Sequence, residues 1–362
     1  MVDWTASMQQ TFEYYIVDPI SWKDTRKIDT ILSSKLSKDS TSDTLGSASL
    51  TTTEMLGECY IRVYLITFQN GVKEKHPLGT YMVQSPSYSF DGKIRTLRMD
   101  GYTPLIELKE KKPPMGYNLR KNDNILDKAY SILRDNMRAP TIKTTKSDIL
   151  YHDFVANIDD TWIEFVKDLL ANAKSHLMLD EMGRVIFEPD QDMTAMQPVW
   201  TFDDGNSSIL YANFDMDHDL YGIPNEVEVI YSKSSTMYSA VVRNDDPNSP
   251  VSTINRGRII SHRITNPEIP GSPSKEQVSI YAKQLLKEMS RIGYTVTYTH
   301  GYCPVRIGDC VRLNCEAAGL NNVKAKVISQ SIECVPGCPV TEKAVFIDEL
   351  WAGTKRSEGV WS

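Results

Sequence analysis

The segment Asp159–Pro189 constrains the fold more than any other stretch, because it holds a complete packing unit within 31 residues. Thr161 followed by Glu164 has the capping-box spacing, in which each residue satisfies a free backbone N–H of the other. Trp162, Phe165, Val166, Leu169, Leu170 and Ala173 then recur at helical spacing and predict a helix with one apolar stripe. Residues 172–176 dilute the pattern and end it. A short apolar run, Leu177-Met178-Leu179, leads into the turn Asp180-Glu181-Met182-Gly183. Gly183 can take the positive φ that closes such a turn. The return strand is Arg184–Phe187, and Pro189 stops it. The stripe must be covered and the hairpin can cover it. The unit contains no nucleophile–base pair and no phosphate loop, so it reads as scaffold.

The flanks are β-rich. Before it, Thr11–Val17, Cys59–Phe68, Gly79–Gln84, Ser87–Phe90 and Lys93–Met99 read as strands, with Asn70-Gly71 and Asp91-Gly92 as tight hairpin turns. Residues 33–53 are dominated by Ser and Thr and read as a loop or as edge strands. Lys109-Glu110-Lys111-Lys112-Pro113-Pro114 marks the first domain boundary. A helix over Asn124–Met137 follows, with Leu126, Ala129, Tyr130, Leu133 and Met137 on one face; 141–158 gives no clear pattern. From Trp200 strands return at Ile209–Asn213, Glu226–Tyr231 and Met237–Arg243. Residues 244–257 read as a mobile loop and Pro267–Pro273 as a turn. Ser274 and Gln277 form a second capping box, opening a helix over 274–292 with Val278, Tyr281, Ala282, Leu285, Met289 and Ile292 on its stripe and Gly293 as its stop. The last strands are Tyr294–Thr299, Cys310–Asn314, Val323–Glu333 and Lys343–Asp348. The expected fold class is α+β, mainly β. The strands suggest an antiparallel barrel or sandwich; the expected domains are a β-barrel over 1–112, a helix and hairpin domain over 113–199, a second barrel over 200–350 carrying the helix 274–292, and a tail over 351–362, the barrel form being the one the resemblance given below implies.

Composition narrows the function classes. The chain has 362 residues and a net charge of −7, which opposes a general nucleic-acid binder, since such affinity rests on Lys and Arg neutralising phosphates. No signal-peptide pattern stands near Met1 and no run reaches the roughly 18 apolar residues of a membrane span. The expectation is folding in a cytoplasm, without stable membrane association, with the six cysteines as thiols.

Three groups are candidates for chemistry. Cys303, Cys310, Cys315, Cys334 and Cys338 cluster late in the chain, and Cys334-Val-Pro-Gly-Cys338 could hold two thiolates on a tight turn. The paired short spacings of a zinc site are not both present, so buried small hydrophobic residues are the expected reading. Asp215, Asp217, Asp219 and Glu226 match positions 1, 3, 5 and 12 of a calcium loop. The required glycine is Leu220, and strands rather than helices flank the segment, so a polar strand edge or loop is expected. The six histidines, His76, His152, His176, His218, His262 and His300, are scattered singly, and the pairs Asp159-Asp160 and Asp203-Asp204 are merely adjacent in sequence. No catalytic, cofactor-binding or metal-binding residue is assigned, and no cofactor is expected.

Taken in order, the elements resemble the hub proteins of phage baseplates and tail tips, the T4-type and Mu-type hub fold shared with the N-terminal part of type VI secretion spikes. The likeness is carried by Asp159–Pro189, by Asn225-Glu-Val-Glu-Val-Ile-Tyr231, and by Pro304–Leu313, whose Gly308-Asp309 turn would separate two strands. Tyr102-Thr-Pro-Leu-Ile-Glu-Leu108, closing the first barrel, also fits. The resemblance implies two tube-like barrels per chain in a homotrimer, presenting six similar barrels to a hexameric tail tube and continuing into a threefold spike. It implies a non-enzymatic structural protein of a virion tail or contractile injection particle, assembled in the bacterial host cytoplasm. Its implied partners are the tail tube ring, the spike or tail-tip protein, and baseplate wedge or tape-measure proteins, with DNA only as transient cargo in the central channel. The chain itself is expected to stop at Ser362 without an added lysozyme or peptidase domain, since the charged, turn-rich tail from Gly353 is too short to be one. The alternatives are a cell-wall-degrading tail enzyme with a site built from scattered acids, and a carbohydrate-binding tail module using Tyr60, Tyr64 and Tyr81.

Overall fold

The computed structural model describes residues 2–144, 148–218, 222–233, 236–265, 267, 274–290 and 293–347. Two compact units result: 1–214 with 297–344, and 215–296 with 345–362. The fold is α+β and mainly β.

The first unit begins with β1 (Gln9–Val17), β2 (Asp24–Ile28), β3 (Ile31–Asp39), β4 (Gly46–Thr52), β5 (Cys59–Gln69), β6 (Val72–Phe90) and β7 (Arg95–Tyr102). Antiparallel pairing orders them β3-β4-β7-β6-β5-β1-β2. β5 is apolar almost throughout because both its faces are covered: Tyr60, Arg62 and Tyr64 on one, Ile61, Val63 and Leu65 on the other. Two expectations are corrected. The Ser/Thr-rich stretch 33–53 forms two inner strands, β3 and β4, because every second residue, Ser34, Leu36, Ala48 and Leu50, turns inward while the polar ones face out. Gly79–Gln84 and Ser87–Phe90 belong to one long strand, β6, carried past Pro86 by a register shift between Gln84 and Ser87.

Next come α1 (Ile106–Lys109), β8 (Asn118–Leu119), α2 (Ile125–Asn136), β9 (Phe154–Val155), α3 (Trp162–Ala171), β10 (Ser175–Leu179) and β11 (Val185–Pro189). Residues 103–109 thus leave the sheet as a helical turn rather than closing it. The α3 stripe is buried at every expected position, from Trp162 to Ala173. Glu164 accepts from the Thr161 backbone N–H at 2.8 Å, as its cap spacing requires. On α2, Leu126, Ala129, Leu133 and Met137 are buried, joined by Ile125 and Ile132, while Tyr130 sits at the stripe's margin. One apolar cluster unites these helices and the β10–β11 hairpin with Val17, Trp22, Tyr60 and Met82 of the sheet. Part of 141–158 is fixed by an Asn124–Ile149 bridge and by β8–β9; 145–147 lie outside the described residues.

The chain continues through β12 (Trp200–Asp203), β13 (Leu210–His218), β14 (Glu226–Lys233), β15 (Thr236–Arg243), α4 (Thr253–Arg256), β16 (Ser261–Thr265), α5 (Lys275–Met289), β17 (Gly293–Gly301), β18 (Cys310–Cys315), β19 (Leu320–Glu333) and β20 (Pro339–Ile347). β19 pairs with β3, so the late strands extend the early sheet in the order β13-β17-β20-β19-β3, with β18 on β19 and β12 on β18. The described pairings form an open path from β2 to β13. Pro304–Ile307 is not a strand: the Arg306 N–H goes to Asp309 Oδ2 at 2.9 Å instead of a ladder, and the Gly308-Asp309 turn leads only into β18.

In the second unit β15-β14-β16 form a sheet packed on α5. Val227, Val229 and Tyr231 alternate toward Val278, Ala282 and Leu286. The expected loop 244–257 contains α4, whose N-cap Ser252 accepts from Asn255 N at 3.2 Å. α5 opens with the Ser274–Gln277 box but ends at Met289, and Gly293 starts β17. Ile292, most of the turn 267–273 and the tail 351–362 lie outside the described residues.

Candidate functional site

The densest polar construction in the first unit surrounds the tip of the β10–β11 hairpin. Asp180 Oδ1 accepts from Met182 N at 3.0 Å and Arg184 N at 2.8 Å, and Gly183 adopts φ +74°. This holds the Met182 carbonyl where two buried donors reach it, Trp22 Nε1 at 2.8 Å and an Arg62 terminal nitrogen at 3.1 Å. Arg62 is 1% exposed. Its charge is met by Asp24 at 2.7 Å, and Thr80 Oγ1 and the Trp22 carbonyl take further N–H groups. A buried guanidinium so surrounded satisfies the rule that buried charges are paired and hydrogen-bonded. Tyr64 donates to the other Asp24 oxygen at 2.6 Å, and burial pushes its phenol up to about 12. At the same tip Glu181 pairs with Arg306 at 2.6 Å. Beside it burial lowers the pKa of Lys38 against the pull of Glu181. The construction clamps hairpin to sheet.

A second buried network lies in the late strands. Tyr298 donates to Glu342 Oε2 at 2.6 Å, and Gln330 Nε2 donates to Glu342 Oε1 at 2.6 Å and to the Val305 carbonyl at 2.8 Å. His300 gives its Nδ1 proton to the Gly301 carbonyl at 2.7 Å, leaving Nε2 3.3 Å from Glu342 Oε1. His300 and Glu342 are both fully buried. Burial drives the Tyr298 phenol pKa well up, so it remains a donor. Sequence reading missed this group, though a signal existed. Glu342 occupies an inward position of β20, in step with Val340, Ala344 and Phe346.

The five late cysteines are buried free thiols. Cys334 and Cys338 pack with Tyr14 and Tyr81 in the core of the early sheet. Burial pushes Cys334 up to about 11 and raises Cys303, Cys310 and Cys338, which holds them as thiols, whereas metal binding needs thiolate. Asp215 and Asp217 lie on β13 as outward strand positions, and Glu226 is paired with Arg243 at 2.6 Å; Asp219 and Leu220 lie outside the described residues. Among the described residues no three His, Cys, Asp or Glu side chains converge on a metal position.

The other candidates are dispersed. His76 bonds Thr67 at 3.0 Å, His176 bonds Asp190 at 2.7 Å, and His152 is exposed. Asp160 and Asp203 accept backbone N–H groups of their own turns. Tyr60, Tyr64 and Tyr81 are buried, so they offer no platform to a sugar. A cleft of about 340 Å³ runs past His176, Glu188, Asp309 and Lys326; burial raises the Asp309 carboxyl. No helix among the described residues is long and apolar enough to cross a membrane.

No protein-family model and no curated protein sequence matches the chain. Solved structures do. A tail protein from Neisseria meningitidis MC58 is 13% identical with a TM-score of 0.67, the match covering 94% of this chain and 98% of that one. The 43 kDa tail protein of prophage MuSo2 from Shewanella oneidensis is 12% identical with a TM-score of 0.66, covering 92% and 98%. A chain of the Francisella PdpA–VgrG complex is 11% identical with a TM-score of 0.56, covering 94% of this chain and 52% of that one. The likeness to hub and tail-tip proteins read from the sequence is therefore a likeness of fold, and the chain shares the fold of the two tail proteins almost from end to end.

Proposed function

We propose that this chain is a structural hub of a phage tail or contractile injection particle, not an enzyme. The observation that carries the reading is the near end-to-end match to two tail proteins, one of them from a prophage, at TM-scores of 0.67 and 0.66. In this reading three copies form a ring that meets the sixfold tail tube on one side and a threefold spike on the other. The β-rich parts, 1–112 and 200–350, act as the two tube-like barrels, and 113–199 braces them. Three chains with two such parts each offer six edges, which resolves the symmetry mismatch. The buried polar clamps suit a body that must transmit load without shearing. The net charge of −7 suits a wall that DNA passes without sticking. Tube, spike, wedge and tape-measure proteins are the partners of this reading, and the virion tail is its location.

Reconstruction of the assembled particle tests it. Threefold density with one copy per asymmetric unit is expected. Six equivalent copies in one ring would overturn the hub and recast the chain as a tube or distal-tail protein. Clearing of cell walls in a zymogram by the purified chain would overturn the non-enzymatic assignment.

A further inference from the structure

The buried network of the late strands holds an anion that needs a counter-charge. Glu342 of β20 is fully buried, and both of its oxygens accept hydrogen bonds, Oε1 from Gln330 Nε2 at 2.6 Å and Oε2 from Tyr298 at 2.6 Å. The Gln330 amide is fixed in that orientation, because its nitrogen also reaches the Val305 carbonyl at 2.8 Å and a carbonyl can only accept. A proton on Oε2 would strand the phenolic proton of Tyr298. Glu342 is therefore a carboxylate, and a buried carboxylate is paired or costly.

His300 of β17, also fully buried, faces it. His300 Nδ1 lies 2.7 Å from the Gly301 carbonyl and so must carry a proton. Nε2 is buried without a hydrogen bond of its own, yet it stands 3.3 Å from Glu342 Oε1. In a neutral ring, Nε2 would turn a bare lone pair toward a carboxylate oxygen. In an imidazolium, it turns a positive N–H toward that oxygen. Among the described residues no Lys or Arg side chain stands within ion-pair distance of Glu342, so His300 is the cation within reach. The other neighbours leave the balance unchanged. Cys303 Sγ lies 3.9 Å from Nδ1, and burial followed by the Glu342 charge raises its thiol pKa; the Tyr298 phenol is raised by the same two causes. Phe202 of β12 brings its ring to 4.5 Å from the imidazole, close enough to favour a cation.

We propose that His300 keeps a buried proton as an imidazolium paired with Glu342, and that this pair is a proton-operated lock between the adjacent strands β17 and β20. Removing one partner of a buried ion pair leaves the other charge uncompensated, which is strongly destabilising. Loss of the proton therefore loosens β17 from β20, and with them the Gln330 link to β19. The sign follows from proton counting. Once unfolded, His300 is solvated and releases its proton in the ordinary histidine range. The folded chain retains it and so binds one proton more on the alkaline side of that range. The contribution is then fully present at low pH and is lost as pH rises. The lock lies within one chain and does not depend on the hub reading.

The test uses the full chain labelled with ¹⁵N-histidine. Loss of one of the six histidine signals in His300→Gln assigns the ring. At about pH 8, where an ordinary histidine is neutral, both His300 nitrogens are expected to carry protons. In Glu342→Gln, which keeps the shape and removes the anion, the same ring should become neutral. A wild-type His300 with a single protonated nitrogen at that pH overturns the lock. Should neither variant fold, the wild-type spectrum still decides, since the absence of any doubly protonated histidine overturns it equally. Melting curves give a second readout. Between about pH 7 and 9 the wild-type melting temperature should fall by several degrees more than that of Glu342→Gln. Parallel curves for the two proteins would show that no folded-state proton is held there and would overturn the proposal. His300→Gln should be less stable than His300→Gln combined with Glu342→Gln, because the single change leaves the carboxylate buried without a cation. The reverse order would show that His300 supplies no charge.

Discussion

Tyr60 of β5 donates its phenolic proton to Glu107 of α1, joining the early sheet to the helices that cover it. The same carboxylate oxygen takes Arg138 Nε at 2.5 Å, and the other takes the Arg138 backbone N–H at 2.8 Å. Glu107 is 7% exposed, and burial followed by this bond drives the Tyr60 phenol pKa far up, so the phenol stays a donor. Glu107→Ala strands a buried hydroxyl and a guanidinium together. Bonds to a charged group contribute about 1.5–3 kcal/mol each, and Arg138 can turn partly to water, so a loss of about 2–4 kcal/mol is expected. Urea unfolding measures it; a loss below about 1 kcal/mol would show that the carboxylate is dispensable to the docking.

Trp162→Ala should cost about 3–5 kcal/mol, the usual penalty for emptying the site of a buried large aromatic. Trp162 is 6% exposed and meets Tyr117 edge-on at 4.9 Å and Phe165 at 5.8 Å. The midpoint of urea unfolding reads the change.

What was legible in the sequence was what local periodicity dictates. The α3 stripe, its cap, the Gly183 turn and the α5 cap follow from spacings of three or four residues, and the structure has them. Long-range pairing was illegible. Ser33–Ser37 looks like loop because its outward residues are polar, and only the neighbours β19 and β4 make it an inner strand. Pro304–Ile307 looked like a strand, but Arg306 and Asp309 satisfy each other locally. Arg62 stood unremarked in an apolar run, since its partners Asp24, Thr80 and Met182 lie 38, 18 and 120 residues away. The same distance hid the Tyr298, Gln330 and Glu342 network.

Stability at acid pH should depend on Glu164. Bonds from the Thr161 backbone and side chain lower its pKa below the ordinary 4.5. A depressed folded-state pKa contributes stability that is complete above the unfolded value and lost as pH falls through the folded one. Wild type should therefore lose stability on acidification below about 4.5 more steeply than Glu164→Gln, which has no charge to lose. Parallel pH curves for the two proteins would refute the capping role.

Chelator should leave the melting temperature of metal-free-purified protein unchanged. Cys303, Cys334 and Cys338 are raised by burial, so extracting a proton from any of them works against the fold. A drop in melting temperature with chelator, restored by zinc or calcium, would promote the cysteines or the Asp215 segment to a site.

The tightest test of the hairpin clamp is Gly183→Ala. Its φ of +74° costs an L-residue about 1–2 kcal/mol wherever it occurs. Here a β-carbon would also stand 2.7 Å from Thr80 Cβ and 3.3 Å from Trp22 Cζ2. Thr80 accepts from Arg62 Nε, and Trp22 donates to the Met182 carbonyl, so either retreat loosens the bonds that fix the tip. Overpacking typically adds about 1–3 kcal/mol. The expected total is about 2–5 kcal/mol. Gly71→Ala is the control, with φ +80° and open space around its added carbon. It should show only the backbone cost of about 1–2 kcal/mol. Equal losses at the two positions would mean that the hairpin shifts freely against Thr80 and Trp22, and that the Met182 carbonyl is not the anchor the geometry makes it.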